Sequence, residues 1–170
     1  MKRILSVSIW LVVFIPAFAG RSPLASKHER TRNQVSAIQV EMIQSDEIKL
    51  PADFQVALYE NLIRELEKHG RFQRIYRDGD RDANGVADLV VLHSSVEGFK
   101  EGSERARQVT TFAGATSIKV HCQFTNADGK PLLDRDISGK VRFFGGNLKA
   151  TYDFAKRAAH VAQENFSTPK

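Results

Sequence analysis

Residues 118–143, IKVHCQFTNADGKPLLDRDISGKVRF, decide the fold of this chain. On both sides of the centre, apolar and polar residues alternate, which is the pattern of a strand with one buried face. The centre, residues 126–130, has the composition of a tight turn, with Gly129 near its end. The stretch therefore predicts an antiparallel β-hairpin whose apolar positions share one face of a sheet.

Two strands and a helix are predicted on the N-terminal side of the hairpin. Alternation over residues 38–42 predicts one strand, and residues 72–76 predict a second, short one. Between them, residues 51–69 place apolar side chains three and four positions apart, which predicts an amphipathic helix that ends at Gly70. A strand, a helix and a strand in this order predict a right-handed parallel crossover.

Two further segments complete the pattern. Residues 88–92, DLVVL, form a continuous apolar run with weaker alternation through Phe99, which predicts a central strand covered on both faces. Residues 148–166 repeat apolar side chains at helical spacing, and the alanines among them let this helix lie close to the sheet. The prediction is an α+β fold in the order β-α-β-β-β-β-α, with a single mixed β-sheet of about five strands and two helices packed on one face.

Residues 1–19 have the features of a signal peptide. Lys2 and Arg3 precede an apolar run that is too short to span a bilayer, and Ala17-Phe18-Ala19 gives the small-x-small ending that a signal peptidase reads. An uncleaved N-terminal anchor is the alternative. No cysteine follows the run, so a lipid anchor has no sulfur to attach to.

The remainder of the chain divides into two parts. Residues 20–34 are polar and basic and predict a flexible leader, and residues 35–167 predict a single α+β domain. The formal charge of +5 resides in residues 1–34, because residues 35–170 hold equal numbers of basic and acidic residues. A neutral folded part has no general attraction to nucleic acid. The sole cysteine, Cys122, excludes an internal disulfide, so apolar packing must hold the fold.

Familiar catalytic motifs are absent from the sequence, including the His-Glu-x-x-His pair, the nucleophile elbow, the phosphate loop and paired cysteines. His93 and Ser95 share one face of a predicted strand, as a base and a nucleophile would, but a hydrogen-bonded strand histidine is the expectation. Cys122 alternates with apolar residues and is expected to be buried. We assign no catalytic, cofactor-binding or metal-binding residue and no cofactor, and we expect no enzyme activity.

Residues 80–91 partly match a calcium-binding loop. Four oxygen-bearing side chains fall at ligand positions one, three, five and nine of such a loop, namely Asp80, Asp82, Asn84 and Asp88. Gly85 falls at the sharp-turn position, but Val91 stands where a bidentate carboxylate is required. The same residues also make an ordinary polar turn, so a weak calcium site and a plain loop are the two alternatives.

Other segments are candidates for contact with a partner. Basic residues interleaved with Phe72 and Tyr76 can form a stacking groove for nucleic acid, although ion pairs with the neighbouring aspartates are expected instead; the basic residues are Arg71, Arg74, Arg77 and Arg81, and the aspartates are Asp78, Asp80 and Asp82. Residues 100–108 predict a loop that is mobile unless a partner orders it. Residues 112–115 and 143–146 set phenylalanines beside glycines, as a partner surface or as core at strand ends.

Several short sequence features occur along the chain in a characteristic order. They are Leu58, Leu62, Leu66, Gly70 and Phe72 around the end of the first helix, then residues 87–92 (ADLVVL), 112–115 (FAGA) and 128–132 (DGKPL). In this order the chain resembles, over residues 35–166, a bacterial envelope family described as domain of unknown function 4410. The resemblance implies a small α/β envelope fold, like modules of outer-membrane assembly and cell-wall-synthase activator proteins, and it implies no activity.

Together these features predict an exported, non-enzymatic envelope binding or assembly-accessory module, in the periplasm or secreted. Its expected partner is an unknown envelope protein, contacted through residues 100–108 or through a sheet edge, with no nucleic acid and no stable membrane insertion after signal cleavage. The alternatives are a weak calcium-binding adhesion or stability module and an enzyme with an unrecognised site at His93 or His121.

Overall fold

The computed structural model describes residues 33–69, 71–109, 114–142 and 145–167. The predicted signal peptide and residues 20–32 of the predicted leader lie outside the described residues. Gly70 and the phenylalanines at positions 112, 143 and 144 lie outside them as well. None of the helices in the described ranges has the length and apolar character that a membrane span requires.

Within these ranges the chain folds into a five-stranded mixed sheet, a two-stranded sheet and three α-helices. The elements are β1 (Asn33–Gln34), β2 (Ala37–Val40), α1 (Ala52–His69), β3 (Arg74–Arg77), β4 (Leu89–Lys100), α2 (Glu104–Val109), β5 (Thr116–Asn126), β6 (Pro131–Val141), α3 (Lys149–Asn165) and β7 (Phe166–Ser167).

The strand order of the large sheet is β3-β2-β4-β5-β6. Strand β2 pairs in parallel with both β3 and β4, whereas β4, β5 and β6 are antiparallel neighbours. The predicted α+β class, the mixed sheet of five strands, the parallel crossover and the central position of β4 are therefore confirmed. Strands β1 and β7 form the small parallel sheet, which joins the two ends of the described chain.

The core lies between the large sheet and helices α1 and α3. The buried face of the sheet supplies Ile38, Leu92 and Phe124, and both helices contribute to the same apolar cluster. Phe54 of α1 packs against Phe99 of β4, with ring centroids 4.8 Å apart and ring planes tilted by 58°. Burial of this one face, at about 25 cal/mol per Å² of apolar surface, is the main stabilising term in the absence of disulfides.

The hairpin forms at the predicted place because its turn is stabilised locally. The Asn126 side-chain oxygen accepts hydrogen bonds from the backbone N–H groups of Asp128 and Lys130. Gly129 adopts a positive φ of 79°, which favours glycine. Turn chemistry and strand alternation thus agree, which is why this prediction from the sequence is confirmed.

One face of β4 is not covered as predicted. Val91, His93 and Ser95 are half-buried, while their neighbours on the other face are buried. The apolar run ends at Leu92, and beyond it the side chains on the uncovered face are polar. The prediction of a strand covered on both faces was therefore wrong beyond the first few residues.

The prediction of a loop over residues 100–108 was also wrong. Strand β4 extends to Lys100, and residues 104–109 form α2. Arg107 is 5% exposed and is hydrogen-bonded to surrounding segments, so contacts distant in sequence stabilise this helix. Smaller differences are that β3 covers residues 74–77, that Asn33 and Gln34 of the predicted leader form β1, and that Phe166 begins β7.

Candidate functional site

The sheet face opposite α1 and α3, called the open face below, is polar and half-exposed. It is formed by the alternate residues of β4, β5 and β6 that do not point into the core. Cross-strand register places Ser95, His121 and Asp136 in one row and His93, Gln123 and Asp134 in the next. Side chains in one row are close enough to interact directly, so three strands contribute to one surface.

A β-bulge adds a carboxylate to this face. Register shifts between Val96 and Gly98, so that Glu97 is an extra residue in β4 opposite Lys119. Because of the bulge, the Glu97 side chain reaches the same face as Lys119 and His121. Five charged or titratable side chains therefore meet there, and we call them the charge cluster: Glu97, Lys119, His121, Asp134 and Asp136.

Lys119 is the centre of the charge cluster. Its Nζ lies 2.6 Å from Glu97 Oε2 and 2.7 Å from Asp136 Oδ2, so one ammonium bridges carboxylates from two strands. Hydrogen bonds to Asp136 and Glu97 hold the pKa of Lys119 above its ordinary value. Hydrogen bonds from Lys119 and His121 in turn lower the pKa of Asp136. The cluster is thus an alternating network of positive and negative groups at neutral pH.

His121 joins the network through both ring nitrogens. Its Nδ1 lies 2.9 Å from Asp136 Oδ1, and its Nε2 lies 3.4 Å from Asp134 Oδ1. The hydrogen bond to Asp136 raises the pKa of His121, and the charges of Asp134, Asp136 and Glu97 add to this effect. Donor atoms of Glu97, His121 and Asp136 all lie within 4.8 Å of one another, a spacing compatible with a metal ion, but Lys119 already supplies positive charge between the carboxylates.

The raised pKa of His121 predicts a pH-dependent stability. A pKa that is higher in the folded chain than its unfolded value of about 6.5 stabilises the fold while His121 is protonated. This contribution is complete below about pH 6.5 and is lost as the pH rises through the folded pKa. Since the side chain is 33% exposed, we expect less than about 1 kcal/mol. Urea unfolding at pH 5.5 and 8.5 measures it.

A matched variant isolates the His121 contribution. His121→Gln should lose more stability at pH 5.5 than at pH 8.5. The charged ring that pairs with the carboxylates is present at the lower pH, and its contribution is lost as the pH rises through the folded pKa. His160 is exposed on α3 and pairs with Glu164 outside the charge cluster, so His160→Gln should leave the difference between the two pH values close to that of the unchanged chain. Equal losses at both pH values in His121→Gln would contradict the assignment.

His93 is the hydrogen-bonded strand histidine that the sequence indicated. Its Nδ1 lies 2.6 Å from Glu41 Oε2, and its Nε2 lies 3.1 Å from Thr125 Oγ1. Ser95 lies on the same face, and both residues line a shallow hollow of about 150 Å³ beside His121. Small-molecule sites occupy about 300–1,000 Å³, so this hollow is small for a substrate.

Cys122 points away from the open face into the core. It is fully buried, and its Sγ lies 3.8 Å from Ser94 Oγ. Burial raises the pKa of the Cys122 thiol to about 12, so the reactive thiolate is not formed at neutral pH. The interpretation of Cys122 as a small buried hydrophobic residue agrees with this position.

The candidate calcium residues lie in a tight polar loop between β3 and β4. The Asp80 carboxylate accepts the backbone N–H of Asp82 and caps a single 3₁₀ turn over residues 81–83. Asp88 has a positive φ of 57°. Val91, at the twelfth loop position, is paired within the sheet with Gln39 and Thr125. The structure thus gives Asp80 a capping role and leaves no carboxylate at position twelve.

The arginine-rich segment pairs differently from the prediction. Arg77 forms a bidentate ion pair with Glu60 of α1, at 2.6 and 2.9 Å, and lies over the Tyr59 ring. The hydrogen bond from Arg77 lowers the pKa of Glu60. The expectation that Arg77 pairs with an aspartate of its own loop was therefore wrong, because α1 crosses β3 at this point and offers a better-aligned carboxylate.

Arg107 connects three segments that are distant in sequence. Its guanidinium donates to the carbonyl oxygens of Gly114 and Gly145, and to Thr116 Oγ1 and Asn147 Oδ1. These bonds attach α2 to the start of β5 and to the loop before α3. Residues 100–108 therefore belong in part to the packed structure, and they are a weaker candidate for a mobile contact loop than the sequence indicated.

The sequence did not single out the charge cluster, although a signal for it existed. Lys119 and His121 stand on the polar side of the strand alternation, and Asp134 and Asp136 do so on the opposite arm of the hairpin. Folding the hairpin about its turn brings these four side chains to one face. Glu97 reaches them only through the bulge.

Comparison with known proteins places the chain in a family. The sequence profile described as Domain of unknown function (DUF4410) matches residues 25–146. The chain belongs to the DUF4410 family. In this DUF4410 protein the matched residues contain the whole charge cluster and Arg107, whereas α3 begins after them. No curated protein matches the chain significantly.

The solved structures to which this DUF4410 protein is similar are distant from it in sequence. The PelC dodecamer from Paraburkholderia phytofirmans matches with a TM-score of 0.57 at 11% identity, over 83% of this chain and 93% of that chain. A variant PelC dodecamer from the same organism matches with a TM-score of 0.52 at 11% identity, over 74% and 85%. A minor lipoprotein from Acinetobacter baumannii has a TM-score of 0.44 at 14% identity, over 76% and 94%.

Proposed function

We propose that this DUF4410 protein is an exported, non-enzymatic envelope module that binds another protein through its open face. The observation that carries the proposal is the charge cluster, in which three strands present a self-paired polar surface opposite the helix-covered core. Each exposed ion pair contributes little to folding stability, so stability alone does not account for an ordered network of this size. Its ordered arrangement favours a role in recognition.

Export is supported by the N-terminal sequence. A basic start, a short apolar run and a small-x-small ending over residues 1–19 are the features of a cleavable signal peptide. The folded part that would remain has its own core and no dependence on disulfides. We therefore place the protein in the periplasm or outside the cell.

The shape of the open face supports binding rather than catalysis. The hollows beside the charge cluster measure about 150 Å³ and about 290 Å³, and a third of about 600 Å³ lies next to Asp136 between β6 and α3; all three are open to solvent rather than enclosed. His93 and His121 each engage carboxylates. The Thr125 hydroxyl lies 3.1 Å from His93 Nε2, but Thr125 is only 4% exposed, so this hydroxyl is poorly placed to reach a substrate. A protein partner needs a broad polar surface with satisfied hydrogen bonds rather than an enclosed cavity.

An assembly role is part of this proposal. The PelC structures with a similar fold are dodecamers, and the likeness concerns the fold alone. The argument for assembly therefore comes from the surfaces of this chain. In the described residues these are the open face and the outer edge of β6, because α1 and α3 cover the other side of the sheet.

Site-resolved crosslinking in the living cell tests the proposal. A photo-crosslinking amino acid at Gln123, which is half-buried on the open face, should form a covalent adduct with an envelope protein. Val56 is 62% exposed on α1 and serves as the matched control, where no adduct is expected. An adduct at Val56 equal to that at Gln123, or none at Gln123, would rule out the open face as the binding surface.

A charge reversal sharpens this experiment. Lys119→Glu places a third carboxylate beside Glu97 and Asp136 and should remove the Gln123 adduct. Lys49→Glu makes the same change of charge at an exposed position before α1 and should leave the adduct unchanged. Circular dichroism of both purified variants shows whether the fold is retained, so loss of the adduct in a folded Lys119→Glu chain supports the proposal.

A further inference from the structure

The outer edge of β6 is an unpaired sheet edge in the described chain. β6 is the last strand of the large sheet and pairs only with β5. The backbone N–H of Lys140 points outward, since it donates to Asp153 Oδ2 of α3. Outward and inward groups alternate along an antiparallel edge, so the backbone groups of Asp134, Asp136 and Ser138 also face outward.

Within the described ranges, both ends of this edge are protected. Pro131 begins the strand and has no N–H to donate. The Lys140 N–H is satisfied by Asp153, and the carbonyl oxygen of Asp134 accepts a hydrogen bond from Arg135. The middle of the edge, around Asp136 and Ser138, keeps outward backbone groups that can pair with another strand.

Charges along the edge are arranged so that the strand complements itself. Asp134 and Asp136 lie on one side of Ser138, and Lys140 and Arg142 lie on the other. An antiparallel copy centred on Ser138 places the side chain of Asp136 opposite Lys140 and that of Asp134 opposite Arg142, which follows the end of β6. Because the Lys140 N–H is already bonded to Asp153, the backbone pairing rests on Ser138 and on the Asp136 N–H. A parallel copy in register would instead oppose like charges, which is unfavourable. Charged residues usually protect an edge strand from pairing, but here an antiparallel second copy would bring opposite charges together.

There is also space for a second strand. A hollow of about 600 Å³ lies beside β6, lined by Ile137 and Ser138 of the strand and by Lys156 and His160 of α3. The opposite edge of the sheet, β3, is only four residues long, and its Arg77 is held by Glu60. Of the two edges, β6 therefore offers the longer continuous surface.

We propose that two copies of this chain pair through the outer edges of their β6 strands, in an antiparallel arrangement centred near Ser138. The partner is a second copy, and the shared sheet runs across a twofold axis. This inference goes beyond the proposed function, because it concerns backbone pairing at the edge of the sheet with a second copy, although Asp134 and Asp136 of this edge also belong to the charge cluster.

Analytical ultracentrifugation of the chain purified after export tests the inference. The unchanged chain should show a concentration-dependent dimer, and Ser138→Pro should be monomeric. Proline removes an outward N–H that β5 does not use, so the variant should still fold. Ser138→Ala keeps the N–H and should remain dimeric.

The charge arrangement gives a second, independent readout. Lys140→Glu should weaken the dimer by about tenfold or more, because the new carboxylate would face Asp136 of the other copy in both symmetry-related contacts. Lys49→Glu should have no effect. A chain that is monomeric at all concentrations, a dimer unaffected by both Ser138→Pro and Lys140→Glu, or a larger assembly unaffected by them would overturn the inference. None of these results alters the expected Gln123 adduct, so the two proposals fail separately.

Discussion

Gly139→Ala is expected to lower the free energy of unfolding by about 3 kcal/mol. A β-carbon at this position of β6 would overlap the carbonyl oxygen of Ala150 and would lie 2.7 Å from the backbone nitrogen of Phe154. Both are backbone atoms of α3, so the helix itself must move away from the sheet. That movement disturbs the packing of Phe154, which is fully buried. Urea unfolding followed by circular dichroism measures the loss.

Gly98 is a matched control for this prediction. It also lies in a strand, and a β-carbon there would meet only the Lys119 β-carbon, at an ordinary 3.6 Å. Gly98→Ala should therefore change the free energy of unfolding by no more than about 0.5 kcal/mol. Similar losses in both variants would show that the close approach of α3 to β6 is not what Gly139 provides.

Replacing Arg107 with alanine is expected to cost about 3 kcal/mol, because it removes the buried donor that four acceptors on two other segments share. The acceptors are the carbonyl oxygens of Gly114 and Gly145 and the side chains of Thr116 and Asn147. Arg107→Lys should lower the free energy of unfolding by nearly as much, since a single ammonium cannot reproduce the planar set of guanidinium donors. Thermal and urea unfolding measure the total loss.

Hydrogen exchange shows whether the loss is centred where the contacts are. In Arg107→Ala, amide protection should fall first in α2 and at the start of β5. Arg105 lies on the same helix and is exposed, so Arg105→Ala should change stability by no more than about 0.5 kcal/mol and leave that protection in place. Retained protection in Arg107→Ala would mean that α2 does not depend on this side chain.

Much of the fold could be predicted because local signals and burial agree. The hairpin turn is stabilised by its own Asn126 and Gly129, and alternation along both arms places the correct residues in the core. The two long helices carry apolar stripes, and packing against the sheet buries these stripes. Close docking of α3 was also foreseen from its alanines, although the glycine of β6 that allows it was not recognised.

The exact composition of the charge cluster could not be predicted, because two bulges set it. One register shift lies between Val96 and Gly98, and the other follows Phe124 on β5 where it faces the start of β6. Counting outward from the turn without the second shift would place His121 opposite Arg135 instead of Asp136. A bulge depends on the packing of the whole sheet and has no reliable signal in a short window of sequence.

The helix within residues 100–108 also could not be predicted from the sequence, for a different reason. Its charged composition has little periodicity, so it indicates a loop. In the fold, Arg107 is buried against acceptors supplied by residues 114–116 and 145–147, and those contacts stabilise a helix that is too short to form alone.

The sequence by itself determined the order and type of the main elements, the buried face of the hairpin and of the two long helices, and the neutral charge of the folded part, because these follow from periodicity, turn chemistry and composition. Only the tertiary structure decided which polar residues meet. Lys119 between two carboxylates, Arg107 among four acceptors, Arg77 against Glu60 and the self-complementary edge of β6 all depend on strand register and helix placement. Those are fixed by the packing of the entire chain, which no local pattern encodes.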